Sequence, residues 1–256
     1  MRPIKNYLVL KNYQLTDAFF VYTDMLEVKK RYARMQEMLV ESAHKYLKDL
    51  DEVIIDTNIV PHEQYMFKDH MRILDMRHHR EPCNILYCDL DVMFIRPVEI
   101  FGKYDHFCML EHQCGIRYYP YQGITTHIWN IQRTEMRQWN ERIGPDAGLT
   151  GSEYQWDREQ DIYVKMMSQV EQDQPELLVL NENSSLFRFR QLIHCVYSEF
   201  DFNARPALVH YNGTGQSFDA LELGEKMLKL AQSDQYEKIG NLLNCQPYRD
   251  WVHPPD

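Results

Sequence analysis

With 256 residues, 44% of them hydrophobic, the chain can bury a full core as a single domain over 1–256. Its formal net charge of −10 argues against nucleic acid as a partner, because a phosphate-backbone binder needs a basic field to displace counterions. No run approaches the roughly eighteen apolar residues of a membrane span, and Met1-Arg2-Pro3-Ile4-Lys5 lacks the apolar core of a signal peptide, so a soluble cytoplasmic protein is expected.

Taken in order, Phe19-Phe20-Val21-Tyr22 is a short apolar run that reads as the first strand, and Thr23-Asp24 is positioned to cap the helix that follows. In that helix Met25, Val28, Tyr32, Met35 and Leu39 recur at three- and four-residue steps, with Glu27, Lys29, Lys30 and Arg31 on the other face. Val53-Ile54-Ile55 reads as a second strand, and Pro61 opens a second helix carrying Met66, Met71, Ile73 and Leu74. A third strand is expected from Asn84 to Val92. Strands alternating with helices predict an α/β fold, a Rossmann-like, mainly parallel mixed sheet flanked by helices. No GxGxxG or Walker loop follows the first strand, which removes the main support for a dinucleotide or P-loop site.

The third strand carries the chemistry. In Leu86-Tyr87-Cys88-Asp89-Leu90-Asp91, strand alternation would put Asp89 and Asp91 on one face, with Leu90 turned into the packing. Two carboxylates so close repel unless they are solvated or bridged, and hard oxygen donors suit Mg²⁺ or Mn²⁺. Open α/β sheets also bind ligands beyond the carboxyl ends of their strands, where these acids stand. By the same rule, Tyr22, Thr23 and Asp24 at the exit of the first strand are expected to line a nucleotide base.

Beyond Pro97 the pattern changes to alternating aromatic and polar residues at Tyr104, Phe107, Tyr118, Tyr119 and Tyr121. His127–Ile131 and Leu177–Leu180 read as strands, Gly144–Gly151 as a loop, and 157–167 as a helix. Ala207–Tyr211 is a further strand closing on a glycine-rich turn, and the tail from Phe218 is helical, with Leu221, Met227, Leu228 and Leu230 available for packing. The six cysteines form no CxxC pair and read as reduced thiols, with Cys83, Cys88 and Cys195 in or near the core. His106-x-Cys108 and His112-x-Cys114 offer four zinc-type ligands, but zinc sites draw on separated pairs, and Phe107, Met109 and Leu110 read as a strand.

Four fragments, in this order, resemble the A-type-fold (GT-A) glycosyltransferases, and among them the retaining family of glycogenin and the lipopolysaccharide galactosyltransferases. The strand with Asp89-Leu90-Asp91, an apolar pair and Arg96-Pro97 is similar to the family's LYLDxDVLxxxP segment, and Arg72 stands seventeen positions before Asp89, where the family carries a donor-facing base. Glu159-Gln160-Asp161-Ile162 is similar to its DQD helix start, and Val209-His210-Tyr211-Asn212-Gly213-Thr214-Gly215-Gln216 to its HxxGxxK motif. The resemblance implies a metal-dependent transferase that takes a nucleotide-diphosphate sugar, of the UDP class, and retains anomeric configuration. It implies Mn²⁺ or Mg²⁺ on Asp89, Asp91 and His210, and a donor held by Arg72, Asp89, Gly213, Gly215 and Gln216. It also implies Gln160 and Asp161 at the reacting sugar, a nucleotide-sugar half at about 1–105 and an acceptor half at about 106–256. The acceptor, whether glycan, protein or small molecule, is not implied. The residues agree in kind: an imidazole at a strand end suits such a cation, and Gly213 and Gly215 let backbone N–H groups approach phosphate oxygens. The chain departs from the pattern at Gln216, which stands where the family has lysine, and at Gln122-Gly123-Ile124-Thr125, which lacks the family's FNAG asparagine.

Two other readings share these features. A haloacid-dehalogenase-type phosphatase also uses a strand followed by DxD, although that motif opens its domain and continues with Thr or Val where this chain has Met93. A non-catalytic nucleotide-sugar or partner-binding protein on the same fold is the other, since a fold does not fix a function.

Overall fold

The structure, a computed structural model, describes residues 3–11, 25–56, 82–104, 108–110, 113–121, 185–196, 199–211 and 218–244. Strand β1 (Lys5–Lys11) lies between β2 (Glu52–Asp56) and β3 (Cys83–Cys88) and runs parallel to both. Tyr7, Leu8, Val9 and Leu10 are all buried, as a central strand covered on both faces requires. The sheet therefore opens with β1, which corrects the expectation that Phe19–Tyr22 is its first strand. Only four apolar residues between polar flanks mark β1, too few for periodicity to separate strand from helix. The run at Phe19–Tyr22 lies outside the described residues.

Helix α1 (Met25–Tyr46) is present as expected and continues about two turns past Leu39, but Arg31, expected on the outer face, is buried at 6% exposure. Met35, Met38, Leu39, Ser42, Ala43 and Tyr46 form its buried stripe, each large apolar member contributing about 1.5–3 kcal/mol by burial. Beyond β3 the main sheet continues antiparallel with β6 (Gln113–Tyr119) and then β5 (Cys108–Leu110), giving the order β2-β1-β3-β6-β5. A second sheet has the order β4-β8-β7, with β4 (Val92–Phe94) antiparallel to β8 (Leu208–His210) and β7 (Ile193–Cys195) parallel to it. Helix α2 (Ser185–Gln191) precedes β7, and α3 (Phe218–Gln232) and α4 (Tyr236–Leu243) close the described chain. The fold is thus α/β, a mixed sheet whose first three strands are parallel, with helices packed against it. Both sheets take strands from before and after residue 105, since β5 and β6 extend the first and β4 joins β8 in the second.

The expected strands at Val53–Ile55 and Ala207–Tyr211 and the helical tail are present. The helix from Pro61, the strands at His127–Ile131 and Leu177–Leu180, the loop Gly144–Gly151 and the helix at 157–167 lie outside the described residues. No helix among the described residues is long and apolar enough to cross a membrane.

Helix α1 ties the second sheet to α3. It packs on both β4 and α3, and the Ser42 hydroxyl, donating to Leu39 O at 2.9 Å, accepts the β4 N–H of Phe94 at 3.2 Å. At its end, Lys45 Nζ donates to Gln232 O at 2.7 Å and to Ala231 O at 2.9 Å, the latter also accepting the Asp234 N–H at 2.9 Å, so the carbonyl end of α3 is capped by a cation. The same ammonium meets Asp234 at 2.9 Å, and the Tyr46 hydroxyl reaches both Ala231 O and Asp234.

Burial of one histidine among the described residues carries a cost. His194, on β7, is 6% exposed, its ring lies edge-on to Phe200 with centroids 4.8 Å apart, and Nε2 has no hydrogen-bond partner among the described residues. Burial alone pulls its pKa down to about 4. Between that value and the ordinary 6.5 the unfolded chain binds a proton that the folded chain refuses, so stability is full above pH 6.5 and falls as pH drops toward 4. The loss attributable to His194 is about 3 kcal/mol. Urea unfolding at pH 7 and pH 4 is expected to show wild type losing that much more than His194→Leu; equal losses would mean the imidazole is hydrated.

Candidate functional site

The two acids stand at the join between the sheets. Strand β3 ends at Cys88 and β4 begins at Val92, so Asp89, Leu90 and Asp91 form the turn between them. This corrects the same-face argument, because the acids are not successive members of one strand and alternation does not orient them. Leu90 does turn into the core, as expected.

Each acid is fixed by a different sheet. The Asp89 N–H donates to Gly115 O on β6 at 2.7 Å, and Tyr211 N–H donates to Asp91 O at 2.9 Å, extending the β4–β8 ladder by one step. Val92 is paired with His210 in that ladder, which sets the His210 ring beside Asp91, with Nε2 3.2 Å from Oδ1. Asp89 approaches the same ring from the other sheet. A Cβ built on Gly115 would meet His210 Cε1 and Nε2 at 3.0 Å and Asp89 Oδ2 at 3.2 Å, so both side chains border the space that this glycine leaves open. Asp89, Asp91 and His210, the expected metal ligands, are therefore brought to one corner of the fold.

The electrostatics follow from burial and proximity. Burial lowers the pKa of His210, but the Asp91 charge and hydrogen bond, with the Cys195 thiol beside the ring, outweigh it and hold the imidazole well above its ordinary value. Cys195 is the β7 partner of His210, which explains the contact. The Cys88 thiol is pushed well up by burial and then by Asp89 and Asp91, against Arg117, so it stays protonated. Cys83, Cys88 and Cys108 are buried thiols and Cys195 is a half-buried one, outside any disulfide among the described residues.

Three further residues shape the site and escaped the sequence reading. Tyr87 donates its hydroxyl to Asp89 Oδ1 at 2.9 Å, Arg117 is buried with its guanidinium 4.2 Å from the centroid of the Tyr87 ring, and Gly115 supplies the gap. Tyr87 had a local signal, standing two residues before Asp89. Gly115 and Arg117 had none, because only the β3–β6 register brings them there.

The donor set, an Asp89 carboxylate and a His210 imidazole bordering Gly115 with the Asp91 carboxylate beside that imidazole, fits in kind a divalent cation such as Mn²⁺ or Mg²⁺. Among the described residues, however, no three His, Cys, Asp or Glu side chains already stand in metal-holding geometry, since His210 turns its Nε2 to Asp91. The remaining expected residues, Tyr22, Thr23, Asp24, Arg72, Gln160, Asp161, Gly213, Gly215 and Gln216, lie outside the described residues.

Neither a family model nor a curated protein matches the sequence. Solved structures do resemble it in three dimensions. The apo form of the glycosyltransferase GlyE of Streptococcus pneumoniae TIGR4 aligns at TM-score 0.47 and 9% identity, over 92% of this chain and 64% of that one. A glycosyltransferase involved in the glycosylation of the major capsid of PBCV-1 aligns at TM-score 0.41 and 11% identity, over 90% of this chain and 99% of that one. This chain thus spans just under two thirds of the pneumococcal chain. Likeness at this level fixes neither activity nor substrate.

The gap at Gly115 gives a direct test. Gly115→Ala puts a methyl group against the His210 ring and Asp89 Oδ2, and relieving the contact displaces the imidazole from Asp91. Overpacking of this kind costs about 1–3 kcal/mol. A lower urea midpoint together with shifted His210 imidazole NMR signals is expected; an unchanged midpoint and unchanged signals would show that the space closes freely.

Proposed function

We propose that this chain is a metal-dependent glycosyltransferase that moves a sugar from a nucleotide-diphosphate donor, of the UDP-sugar class, to a glycan, protein or small-molecule acceptor. The observation that carries the reading is the meeting of three side chains beyond the carboxyl end of β3, the central strand of the main sheet: Asp89 and His210 both border Gly115, and Asp91 Oδ1 stands 3.2 Å from His210 Nε2. Asp89, Asp91 and His210 would hold Mn²⁺ or Mg²⁺, which, when bound, supplies Lewis-acid neutralisation of the departing diphosphate.

The protein's own residues do the rest. Asp89 and Asp91 stand on a short turn whose two ends are each pinned to a different sheet, so that turn would orient the diphosphate from a rigid support. Arg72, Gly213, Gly215 and Gln216 would hold phosphate oxygens, and Tyr22, Thr23 and Asp24 the base. Gln160 or Asp161 would face the sugar opposite the leaving group and stabilise its oxocarbenium-like centre, giving retention, because the sequence offers no carboxylate with comparable spacing to act as an inverting base.

A second reading, a nucleotide-sugar-binding protein without turnover, draws on the same His210–Asp91 contact, which leaves the imidazole engaged with its neighbour. Mn²⁺ titration in the presence of UDP separates the cases from a protein with no such site. Wild type is expected to bind both ligands, and Asp91→Asn and His210→Ala are each expected to weaken Mn²⁺ by about tenfold or more. Undiminished affinity in both variants would remove the metal site. Release of sugar from an α-linked donor distinguishes the transferase from the binder, and NMR of the first-formed product decides the stereochemistry, an α-linked product being expected and a β-linked one excluding retention.

A further inference from the structure

We infer that Tyr87, with Arg117 behind it, is a positioning residue that presets the Asp89 carboxylate for a divalent cation; the inference rests on the metal-dependent reading above. Tyr87 and Arg117 are directly opposed in the antiparallel β3–β6 pair, and the Asp89 N–H bond to Gly115 O continues that pairing one step beyond the strand. Tyr87, the last residue but one of β3, reaches forward to Asp89 in the turn, and Arg117 shares a face of β6 with Gly115 two residues away. The Tyr87 hydroxyl takes Oδ1 at 2.9 Å, while Oδ2 borders the space at Gly115 that the His210 ring also borders. One carboxylate oxygen is thereby anchored and the other presented.

The chemistry separates this role from plain packing. Arg117 is 1% exposed, and a buried guanidinium is tolerated where its charge finds electron-rich partners; the Tyr87 ring face at 4.2 Å is one. Phenylalanine would offer Arg117 a comparable face. The hydroxyl adds nothing to that stacking, yet it is the atom that touches Asp89. Beneath a guanidinium the phenol is polarised toward donation, and a hydrogen bond to an ionised carboxylate is of the stronger kind. Tyr87 thus removes the rotational freedom that Asp89 would otherwise lose on binding a cation, as groups behind metal ligands commonly do.

Tyr87→Phe tests the idea in the full chain, because it keeps the ring and deletes the hydroxyl that donates to Asp89. Mn²⁺ titrations followed by electron paramagnetic resonance, with UDP present, are expected to show a dissociation constant raised about tenfold. The thermal midpoint in EDTA is expected to stay within about 4 °C of wild type, the shift that one lost hydrogen bond produces in a chain of this size. At saturating Mn²⁺, UDP affinity is expected to return to the wild-type value, whereas a loosened fold would lower it at every Mn²⁺ concentration. If wild type binds Mn²⁺ and Tyr87→Phe binds it equally well, the positioning role is overturned and the metal site stands. If Tyr87→Phe binds UDP more weakly even at saturating Mn²⁺, the hydroxyl serves the fold and the role is likewise overturned. If wild type binds no Mn²⁺, the metal-dependent reading fails and the inference fails with it.

Discussion

The three-residue turn Asp89-Leu90-Asp91 joins two sheets, and both of its ends are pinned by backbone hydrogen bonds: Asp89 N–H to Gly115 O at 2.7 Å and Tyr211 N–H to Asp91 O at 2.9 Å. A buried turn must satisfy its polar groups locally, and here the partners come one from each sheet, with the Tyr211 hydroxyl adding a bond to Leu90 O at 3.3 Å. Leu90 anchors the middle by burial. The geometry of the site is therefore the geometry of the join, and whatever holds the sheets together also sets the distance between the acids.

Charge explains how two carboxylates can share this turn. Two carboxylates one residue apart in a half-buried turn would repel each other strongly if left alone. Each has its own partner instead: Asp91 faces the His210 imidazole, whose proton it stabilises, and Asp89 accepts from Tyr87 beneath the Arg117 guanidinium. The two partners are not equivalent. Removing His210 would leave Asp91 facing a buried void, whereas Tyr87 holds only one oxygen of Asp89 and leaves the other toward Gly115.

Much of this was legible in the chain, and the part that was not has a common cause. Helical period revealed α1, short apolar runs revealed β2, β3 and β8, and the acid pair and His210 stood out because their residue types are costly to place near a core. Strand β1 went unread because its four apolar residues lie between polar neighbours, and pairing on both sides, not periodicity, makes it central. Gly115, Arg117 and Cys195 were silent for a related reason: each reaches the site through cross-strand register, a property of two segments that neither segment displays alone. The Asp89–Asp91 pair was found for a reason that does not hold, since the acids share a turn and not a strand face.

Register is also what the second sheet must protect. A slip of one residue between β4 and β8 would carry His210 to the opposite face and away from Asp91. The three paired positions of this short ladder are a weak restraint by themselves. Beyond it, Ile95 N–H donates to Ala207 O at 2.8 Å, and the Arg96 guanidinium reaches back to the carbonyls of Arg205 and Pro206. Arg205 takes a left-handed backbone, φ 51°, which turns its carbonyl within reach at the cost of about 1 kcal/mol or more. Arg96 is half-buried, and its fork meets backbone oxygens that only the correct register supplies. Its place after Phe94-Ile95 therefore has a structural reason independent of any ligand: it locks the ladder that keeps an imidazole against a carboxylate at the other end.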